Sequence, residues 1–489
     1  MNNFYNIATT NFLSILSVLY LLTVIFICLM IVVENRSPVK TLSWVLVVML
    51  VPVIGFIIWL FFGQNYRKEK IFTRKNARYL ERLNIYTARQ VKNLPKKLAL
   101  ESDDIKKKGH LIKLMINNNR SVLTEHNSIE LLIDGKQTFP AMLKAIGNAR
   151  DFIHLEFFRF ESDVLGKQFI DALMEKAKEG VKVRIVFDDV GSWSLSKKMI
   201  TEMRTGGIEI YPFMPVRFPM LTNKINFRNH RKILVVDGGI GFVGGLNIAD
   251  KYLHGLNHIG PWRDTHLIIS GEAVAALNSV FLSDWYFVSE TIPLDEPDFN
   301  IKTDISERCW IQIASSGPDS DWANIMQVYF SAIATALKSI YISTPYFSPD
   351  ESIITAIKTA ALSGVDVQII LPGKTDSAIA NWNTRSYIEE LLEAGVKVFL
   401  FEKGFNHSKY ILVDDVFASV GSANVDMRSF DLNFEIAALI YDKSFAEKLK
   451  KVFAKDISKS SQIDLAVWSK RKRITKYKES LARIFGPLY

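Results

Sequence analysis

One short motif occurs twice in this chain, and its repetition constrains the fold more than any other feature. In each copy a lysine follows a histidine by two residues, and an aspartate follows the lysine by five. A glycine comes seven residues after the aspartate, and an asparagine comes three residues after the glycine. The two copies contain His230, Lys232 and Asp237, and His407, Lys409 and Asp414. An identical spacing predicts the same local structure twice, in two related halves of one protein.

Each copy also has the pattern of a β-hairpin. The apolar runs 233–236 and 411–413 end at the motif aspartates, and a second apolar run follows each turn. Because residues two apart on a strand face the same way, we expect each histidine to lie beside the lysine of its own copy. An imidazole can act as nucleophile, base or acid near neutral pH, and a lysine attracts phosphate. Burying such a pair is costly without a ligand, so the repeated motif indicates a site for phosphate chemistry.

The sequence around the motifs predicts a duplicated α/β domain, with a first half at 111–295 and a second half at 296–489. The first half is predicted to contain helices 141–149, 164–179 and 194–205 and strands 152–160, 182–187 and 209–213. The second half is predicted to contain helices 324–338, 351–363 and 385–394 and strands 340–347, 366–371 and 396–401. Because each hairpin supplies only half of the required groups, we expect the halves to pack face to face around one site.

The first 66 residues predict two membrane-spanning helices that form a hairpin. Residues 2–33 carry no charged side chain, and the apolar stretch 12–33 exceeds the roughly 20 residues needed to cross a bilayer. A second uncharged run, 41–66, predicts a helix at about 41–62. A cleaved signal peptide would have a basic start and a small-x-small cleavage site, which this sequence lacks. The basic juxtamembrane linker 67–110 then predicts that both termini and the catalytic domain face the cytoplasm.

Composition limits the function less sharply. The chain has 60 Lys and Arg against 51 Asp and Glu, a net charge of +9, which suits an anionic partner of either kind, lipid or nucleic acid. Two cysteines are too few for a disulfide framework or a zinc site. His254 and His258 are four residues apart, but without a third ligand they make a poor metal pair. No carboxylate cluster for Mg²⁺ and no P-loop is recognisable, so we predict neither a metal nor a cofactor.

Three further segments leave alternatives open. The insert 214–225 before the first histidine motif and the insert 251–262 after it have aromatic residues in or near them. Both fit a hydrophobic approach for acyl chains and equally fit Ω-loops with a packed interior. The basic C-terminal segment 468–489 mixes cations with apolar residues. It fits an amphipathic helix lying on a membrane and, nearly as well, a helix docked on its own domain.

Polar residues near the motifs complete the predicted site. Asn247, Ser422 and Asn424 can donate hydrogen bonds to phosphate oxygens. A carboxylate follows each hairpin, Asp264 in the first half and Glu435 in the second, and is a candidate to orient an imidazole through its other nitrogen. The motif aspartates lie at hairpin turns on the opposite strand face from the lysines. We therefore expect them either to support the catalytic motif structurally or to orient the residues that contact the substrate.

The pattern His-x-Lys-x4-Asp followed by Gly-x-x-Asn resembles the signature of the phospholipase D superfamily. The resemblance covers roughly residues 110 to 489. It implies that two motifs form one site, that His230 attacks phosphorus and that His407 protonates the leaving group. The transfer would then proceed in two steps through a phosphohistidine.

Six stretches together resemble the bacterial cardiolipin synthases. These are 34–38, 41–44, 226–232, 242–250, 261–264 and 343–347. The resemblance implies an enzyme of the bacterial cell membrane that transfers a phosphatidyl group between two phosphatidylglycerol molecules. Its partners would be phosphatidylglycerol and anionic membrane lipid, without nucleic acid. A hydrolytic phospholipase D, a membrane-tethered nuclease and a non-enzymatic anchor or transporter are the alternatives.

The flanking residues predict different proton affinities for the two histidines. His230 is flanked by Arg228 and Arg231, and nearby positive charge lowers an imidazole pKa and favours the neutral, attacking form. His407 has no flanking arginine, and Glu435 follows it in the sequence. We therefore expect His407 to hold its proton more readily.

Overall fold

The computed structural model describes residues 2–33, 38–59, 63, 77–217, 223–291 and 305–486. The chain divides into two compact units. One unit comprises residues 1–71 with 217–225, and the other comprises 72–216 with 226–489. Both histidine motifs lie in the second unit.

The first unit contains three helices in its described part. They are α1 (Asn2–Val33), α2 (Pro38–Leu50) and α3 (Pro52–Ile58), and α1 packs against α2. The helix predicted at 41–62 is divided at Val51, because Pro52 lacks the amide hydrogen that would continue α2. Residues 34–37 and 60–62 of the predicted hairpin lie outside the described residues. Within the described ranges, no helix is both long and apolar enough to cross a membrane.

The second unit contains a long mixed sheet with helices around it. Its helices are α4 (Ala77–Ala99), α5 (Asp103–Lys107), α6 (Gly109–Asn119), α7 (Gly135–Gly147), α8 (Val164–Lys178), α9 (Lys197–Thr205), α10 (Asp250–His254), α11 (Ala273–Ser289), α12 (Asn324–Ala334), α13 (Glu351–Leu362), α14 (Ala378–Ser386), α15 (Ile388–Glu393), α16 (Met427–Asp431), α17 (Lys443–Ile457), α18 (Leu465–Ser469) and α19 (Arg473–Ile484).

The strands of this unit number from β1 to β19 in chain order. They are β1 (Thr124–Leu132), β2 (Phe152–Phe157), β3 (Lys182–Asp188), β4 (Glu209–Phe213), β5 (Lys232–Val236), β6 (Ile240–Gly244), β7 (Trp262–Arg263), β8 (His266–Gly271), β9 (Arg308–Ser316), β10 (Ser339–Ser343), β11 (Phe347–Ser348), β12 (Asp366–Pro372), β13 (Lys397–Phe401), β14 (Phe405–Asn406), β15 (Tyr410–Val413), β16 (Phe417–Gly421), β17 (Val425–Asp426), β18 (Glu435–Tyr441) and β19 (Ser460–Gln462).

The sheet order makes the predicted duplication visible. The first half runs β4-β3-β2-β5-β6-β8-β1, and the second half runs β13-β12-β10-β15-β16-β18-β9 with β19 added at the edge. In each half the parallel strands come first, and the motif hairpin pairs antiparallel to them. The halves join edge to edge through the antiparallel pair β1 and β9. Strand β6 also contacts β16 and β18, so the sheet curls until the two halves face each other.

Matching residues in the two halves start and stop the helices. Asp163 and Asp350 are N-caps whose carboxylates accept the backbone N–H groups of Gly166 and Ile353. Helices α8 and α13 are followed by Gly180 and Gly364, at φ of 92° and 91°. Only glycine adopts this conformation without strain, and it turns the chain back into the next parallel strand.

The linker and the start of the predicted first half contribute to the core of the second half. Leu94 of α4 and Leu111, Ile112 and Met115 of α6 are buried in the same apolar cluster as residues of β10, β12 and α13. Lys108 is buried between α5 and α6, and its Nζ lies 2.8 Å from a carboxylate oxygen of Asp414. The part of the basic linker around Lys108 therefore belongs to the folded domain.

Two of the three ambiguous segments pack against their own domain. In the insert 251–262, Tyr252, Ile259 and Trp262 are buried in the first-half core, as a packed loop requires. Residues 218–222 of the other insert lie outside the described residues. Helix α19 contacts α14 and buries Ala482, so the docked alternative is correct for its inner face.

Candidate active site

The two predicted hairpins are confirmed. Strands β5 and β6 pair around the turn at Asp237, and β15 and β16 pair around the turn at Asp414. Both aspartates have positive φ, 51° and 57°, which the short Asp side chain tolerates better than most. Each motif histidine lies just before its strand rather than on the strand itself.

The motif aspartates hold backbone groups instead of facing the imidazoles. The carboxylate of Asp237 accepts hydrogen bonds from the backbone N–H groups of residues 150–152 at 2.8 to 2.9 Å. Asp414 accepts from the backbone N–H groups of residues 337–339 at 2.7 to 3.2 Å and also pairs with Lys108. These contacts tie each hairpin turn to the loop that enters β2 or β10. Among the six motif residues, the aspartates fix the geometry on which the histidines and lysines depend.

Each histidine segment is held by the opposite half of the chain. The backbone N–H of His230 donates to the carbonyl of Phe434 at 2.8 Å, and that of His407 donates to the carbonyl of Arg263 at 2.7 Å. Strand β14, which precedes His407, pairs in parallel with β7. Because the donor and acceptor come from different halves, these bonds set the distance between the two motifs.

Each imidazole also contacts a carboxylate from the opposite half of the chain. Nδ1 of His230 lies 3.0 Å from both oxygens of Glu435, and Nδ1 of His407 lies 2.7 Å from Asp264. Burial tends to raise the pKa of Glu435, but His230, Lys232 and a hydrogen bond from Ser422 lower it to about 2. Burial opposes ionisation of Asp264 as well, yet Lys409 and His407 keep its pKa below the usual range. Both carboxylates are therefore ionised at neutral pH.

Two buried lysines complete the cationic centre. Nζ of Lys232 donates to the carbonyl of His230 at 2.6 Å. Nζ of Lys409 donates to the carbonyl of His407 at 2.5 Å and lies 2.8 Å from Nδ1 of the same residue. Burial lowers the pKa of both lysines, and the charge of Lys409 lowers that of Lys232 further. A phosphate between them would offset this repulsion.

The prediction that flanking arginines separate the two histidine pKa values is wrong. Burial lowers the pKa of His230 and of His407 to about 4 in each case, because the carboxylate beside each imidazole raises its pKa less than burial and the neighbouring lysine lower it. Arg228 donates to Asp188 at 3.1 Å, and Arg231 donates to Asp284, so their charges are compensated away from the imidazole. The expectation that Glu435 helps His407 to hold its proton is also wrong, because Glu435 contacts His230 and not His407.

The three side chains predicted to donate hydrogen bonds to phosphate oxygens have different partners in the structure. Asn247 accepts from the backbone N–H of Arg159 and donates to the hydroxyl of Tyr252, both at 3.1 Å. Ser422 donates to Glu435 and accepts from the backbone of Ile436. Asn424 is buried next to β17. The one hydroxyl proton of Ser422 is thus directed at Glu435, whereas the amide of Asn247 has a second N–H besides the one given to Tyr252, and its predicted contact with phosphate stays a prediction.

Sequence reasoning missed an asparagine that precedes the histidine in both copies. Asn229 donates to Glu156 at 2.6 Å and accepts from the backbone N–H two residues on. Asn406 donates to Ser343 at 3.2 Å and accepts in the same way from Ser408. The signal was in the sequence, since Asn-His occurs in both motifs. These bonds fix the backbone turn that presents each imidazole.

Aromatic side chains enclose the imidazoles. The ring of Phe158 lies 5.0 Å from that of His230, edge to face. Trp262 and Phe405 lie 4.8 and 5.4 Å from the ring of His407, and Tyr346 lies 6.2 Å from it. Such walls exclude water and strengthen the electrostatic interactions inside. Within the described part of the chain, no group of three His, Cys, Asp or Glu side chains could hold a metal ion.

Comparisons with known proteins identify the family of this chain. The family model described as "Cardiolipin synthase, PLD-like domain" matches residues 142–285 and 329–457, and the one described as "Phospholipase_D-nuclease N-terminal" matches 15–64. The cardiolipin synthase of Alkalihalophilus pseudofirmus is 43% identical over 97% of this chain and 93% of its own length. That of Geobacillus kaustophilus is also 43% identical, over 97% of this chain and 94% of its own length.

A solved structure shares the fold at much lower identity. The crystal structure of phosphatidylserine synthase from Haemophilus influenzae superposes with a TM-score of 0.58 and 15% identity, over 78% of this chain and 98% of that one. The duplicated sheet and its two facing motifs are those of a phospholipase D-type protein. Within that class, the chain belongs to the cardiolipin synthase family. It is accordingly a transferase of phospholipid biosynthesis, acting by phospholipase D-type transesterification.

Proposed function

We propose that this enzyme transfers the phosphatidyl group of one phosphatidylglycerol to the glycerol hydroxyl of a second, through a covalent intermediate on His230. The products are cardiolipin and free glycerol. The observation that carries the proposal is the exchange of carboxylates, in which each imidazole is oriented by the half that does not contain it. Because each half orients the histidine of the other, both imidazoles belong to one site and can act on the same substrate.

In the first step, Nε2 of neutral His230 attacks phosphorus while Nδ1 remains bound to Glu435. A phosphorus–nitrogen bond forms, and the bond from phosphorus to the glycerol oxygen breaks. Protonated His407 gives its proton to that oxygen, so glycerol leaves as a neutral alcohol. Lys232 and Lys409 stabilise the negative charge on the phosphate oxygens.

The two histidines acquire different protonation states only when the substrate binds. With pKa values of about 4, both imidazoles are neutral near pH 7. A bound phosphodiester adds negative charge, which raises the pKa of a neighbouring imidazole. His407 also has the short bond to Asp264, which stabilises an imidazolium. We therefore assign proton donation to His407 and attack to His230.

The second step reverses these roles. Neutral His407 takes the proton of the acceptor hydroxyl, and the acceptor oxygen forms a bond to phosphorus. The phosphorus–nitrogen bond breaks and His230 is regenerated. Neither step requires a metal ion, since the lysines supply the positive charge on the phosphate.

The product formed from pure phosphatidylglycerol tests this function. In vesicles or micelles of phosphatidylglycerol containing a metal chelator, we expect cardiolipin and glycerol in equal amounts, at a rate within about twofold of that without chelator. Mass spectrometry of the lipids and an enzymatic glycerol assay measure both products. Phosphatidate as the main lipid product would make the enzyme a hydrolase. Loss of activity that Mg²⁺ restores would contradict the metal-free mechanism.

We further propose that the N-terminal segment anchors the enzyme in the bacterial cell membrane as a helical hairpin, with the catalytic unit on the cytoplasmic side. Support comes from the uncharged sequence of residues 2–33 and 41–66. The apolar side chains of Leu21, Leu22 and Phe26 are each more than half exposed on α1. Apolar surface of this kind is covered in a stable protein.

Extraction and proteolysis test this anchoring. The full chain should stay in the membrane pellet after alkaline carbonate washing, because a spanning hairpin is released only by detergent. In sealed vesicles, protease should degrade the catalytic unit when the cytoplasmic face is outside and spare it in the opposite orientation. Release by carbonate would show a peripheral protein. Degradation only in the opposite orientation would reverse the topology.

A further inference from the structure

A second cationic group lies beside the active site and takes no part in the steps above. Arg159 follows β2, and its guanidinium lies 3.0 Å from Glu161. The Nζ of Lys251, at the start of α10, lies 3.9 Å from the same carboxylate. Two cations thus share the carboxylate of Glu161. Among the described residues, the buried Nε of Arg159 has no hydrogen-bond partner.

The other carboxylates near this group are engaged elsewhere. Asp163 accepts the backbone N–H groups of Gly166 and Asp250, at 2.9 and 2.6 Å. Asp376 accepts the hydroxyl of Tyr346 at 2.6 Å. Neither forms an ion pair with Arg159 or Lys251 among the contacts of the described residues. Both carboxylates keep their charge, and what this group offers an anion is hydrogen-bond donors, among them the buried Nε of Arg159.

Short chains of contact connect these cations to both catalytic imidazoles. Arg159 directly follows Phe158, whose ring lies 5.0 Å from that of His230. Its backbone N–H is held by Asn247 at 3.1 Å.

On the other side, Lys251 precedes Tyr252, whose hydroxyl accepts a hydrogen bond from Asn247. The ring of Tyr252 packs 4.7 Å from that of Trp262, which packs 4.8 Å from the ring of His407. The negative charge of Asp376 raises the pKa of Lys251 and also that of His407, so this carboxylate lies near both groups. The Nζ of Lys251 itself lies 5.3 Å from the centre of the Tyr252 ring, so this cation adjoins the aromatic side chains that lead to His407.

The chemistry of the second step requires recognition of an additional phosphate. The acceptor hydroxyl belongs to a glycerol unit that carries its own phosphodiester, with one negative charge. Lys232 and Lys409 are occupied at that stage by the phosphate attached to His230. Water and free glycerol, the competing acceptors, carry no charge. A cation that binds the acceptor phosphate therefore discriminates against them.

We infer that Arg159 and Lys251 bind the phosphate of the acceptor phospholipid and thereby direct the phosphohistidine to lipid rather than to water or glycerol. Arginine suits this role because its planar guanidinium forms two parallel bonds to a phosphate. Glu161 holds both side chains in place before the acceptor arrives. The inference rests on the proposed phosphatidyl transfer, and it names the group that selects the acceptor.

Arg159→Gln and Lys251→Gln test the inference in the full-length enzyme. Two reactions are compared for each variant, cardiolipin formation from phosphatidylglycerol and incorporation of labelled glycerol into phosphatidylglycerol. Glycerol exchange uses the same donor and the same histidines but needs no second phosphate. We expect cardiolipin formation to fall on the order of tenfold relative to glycerol exchange in each variant, with more phosphatidate formed by water.

Lys198→Gln is the matched control, because Lys198 pairs with Glu202 at 3.8 Å on α9 and is highly exposed. The control should keep the wild-type ratio of the two reactions. Equal loss of both reactions in the Arg159 and Lys251 variants, or no change in their ratio, would overturn the inference. If the wild-type enzyme exchanges glycerol but makes no cardiolipin, the proposed function itself fails, so the two failures are distinguishable.

Discussion

His230→Ala and His407→Ala should each reduce cardiolipin formation by roughly 10⁴-fold, because neither motif can complete the transfer alone. The two variants should differ in the first step. With a donor that carries a good leaving group, protonation by His407 is unnecessary, so His407→Ala should still accept the phosphatidyl group slowly. His230→Ala should accept none, since its attacking nitrogen is absent.

Trapping with such a donor, followed by peptide mass mapping, measures the adduct directly. A phosphatidyl group on His407 with none on His230 would reverse the assignment of nucleophile and acid. Near-wild-type activity in either variant would contradict a shared site altogether. Circular dichroism of both variants controls for misfolding. We expect both to fold, because the backbone hydrogen bonds that hold each histidine segment do not involve the imidazole and are retained by alanine.

Glu435→Gln and Asp264→Asn should each lower activity on the order of 100-fold, because partners that orient a catalytic imidazole typically have effects of this size. The defects should fall on different steps. Glu435→Gln removes the charge that stabilises the attacking His230, so adduct formation should slow even from a donor with a good leaving group. Asp264→Asn weakens protonation by His407, so the activated donor should largely rescue it.

Asp415→Asn is the control for this pair of variants. Asp415 lies beside the second motif aspartate but pairs with Lys450 at 2.9 Å, away from the imidazoles. It should leave both steps unchanged. If Glu435→Gln instead impairs only the protonation step, the carboxylate exchange described for the structure does not govern catalysis.

Much of the fold was predictable because its signals are local. The turn aspartates, the apolar runs and the glycines at 180 and 364 each act within a few residues, and the strands and hairpins follow from them. The predicted helix 385–394 illustrates the limit. It begins earlier, as α14, and is divided at Tyr387, which is buried in the second-half core. Tertiary packing thus set a boundary that periodicity alone placed wrongly.

The residue types of the candidate site could be predicted from the sequence. The contacts that these residues make across the two halves could be predicted less well. The position of a carboxylate after each hairpin identified Asp264 and Glu435 from the sequence. Which histidine each would contact depends on how the halves dock, and no local pattern carries that information. The arginines beside His230 failed as a guide for the same reason. Their partners, Asp188 and Asp284, come from distant segments that neutralise them.

The crossing of Asp264 and Glu435 has a consequence for how such a site could have arisen. If residue i of one half contacts residue j of the other, and j contacts i in return, the arrangement is that of a twofold symmetric dimer. Two identical chains with a single motif each would form the same pair of imidazole–carboxylate bonds. Joining them in one chain frees each copy to change independently. Differences such as the Lys108 contact to Asp414, which has no counterpart among the described contacts of Asp237, can accumulate on one side alone.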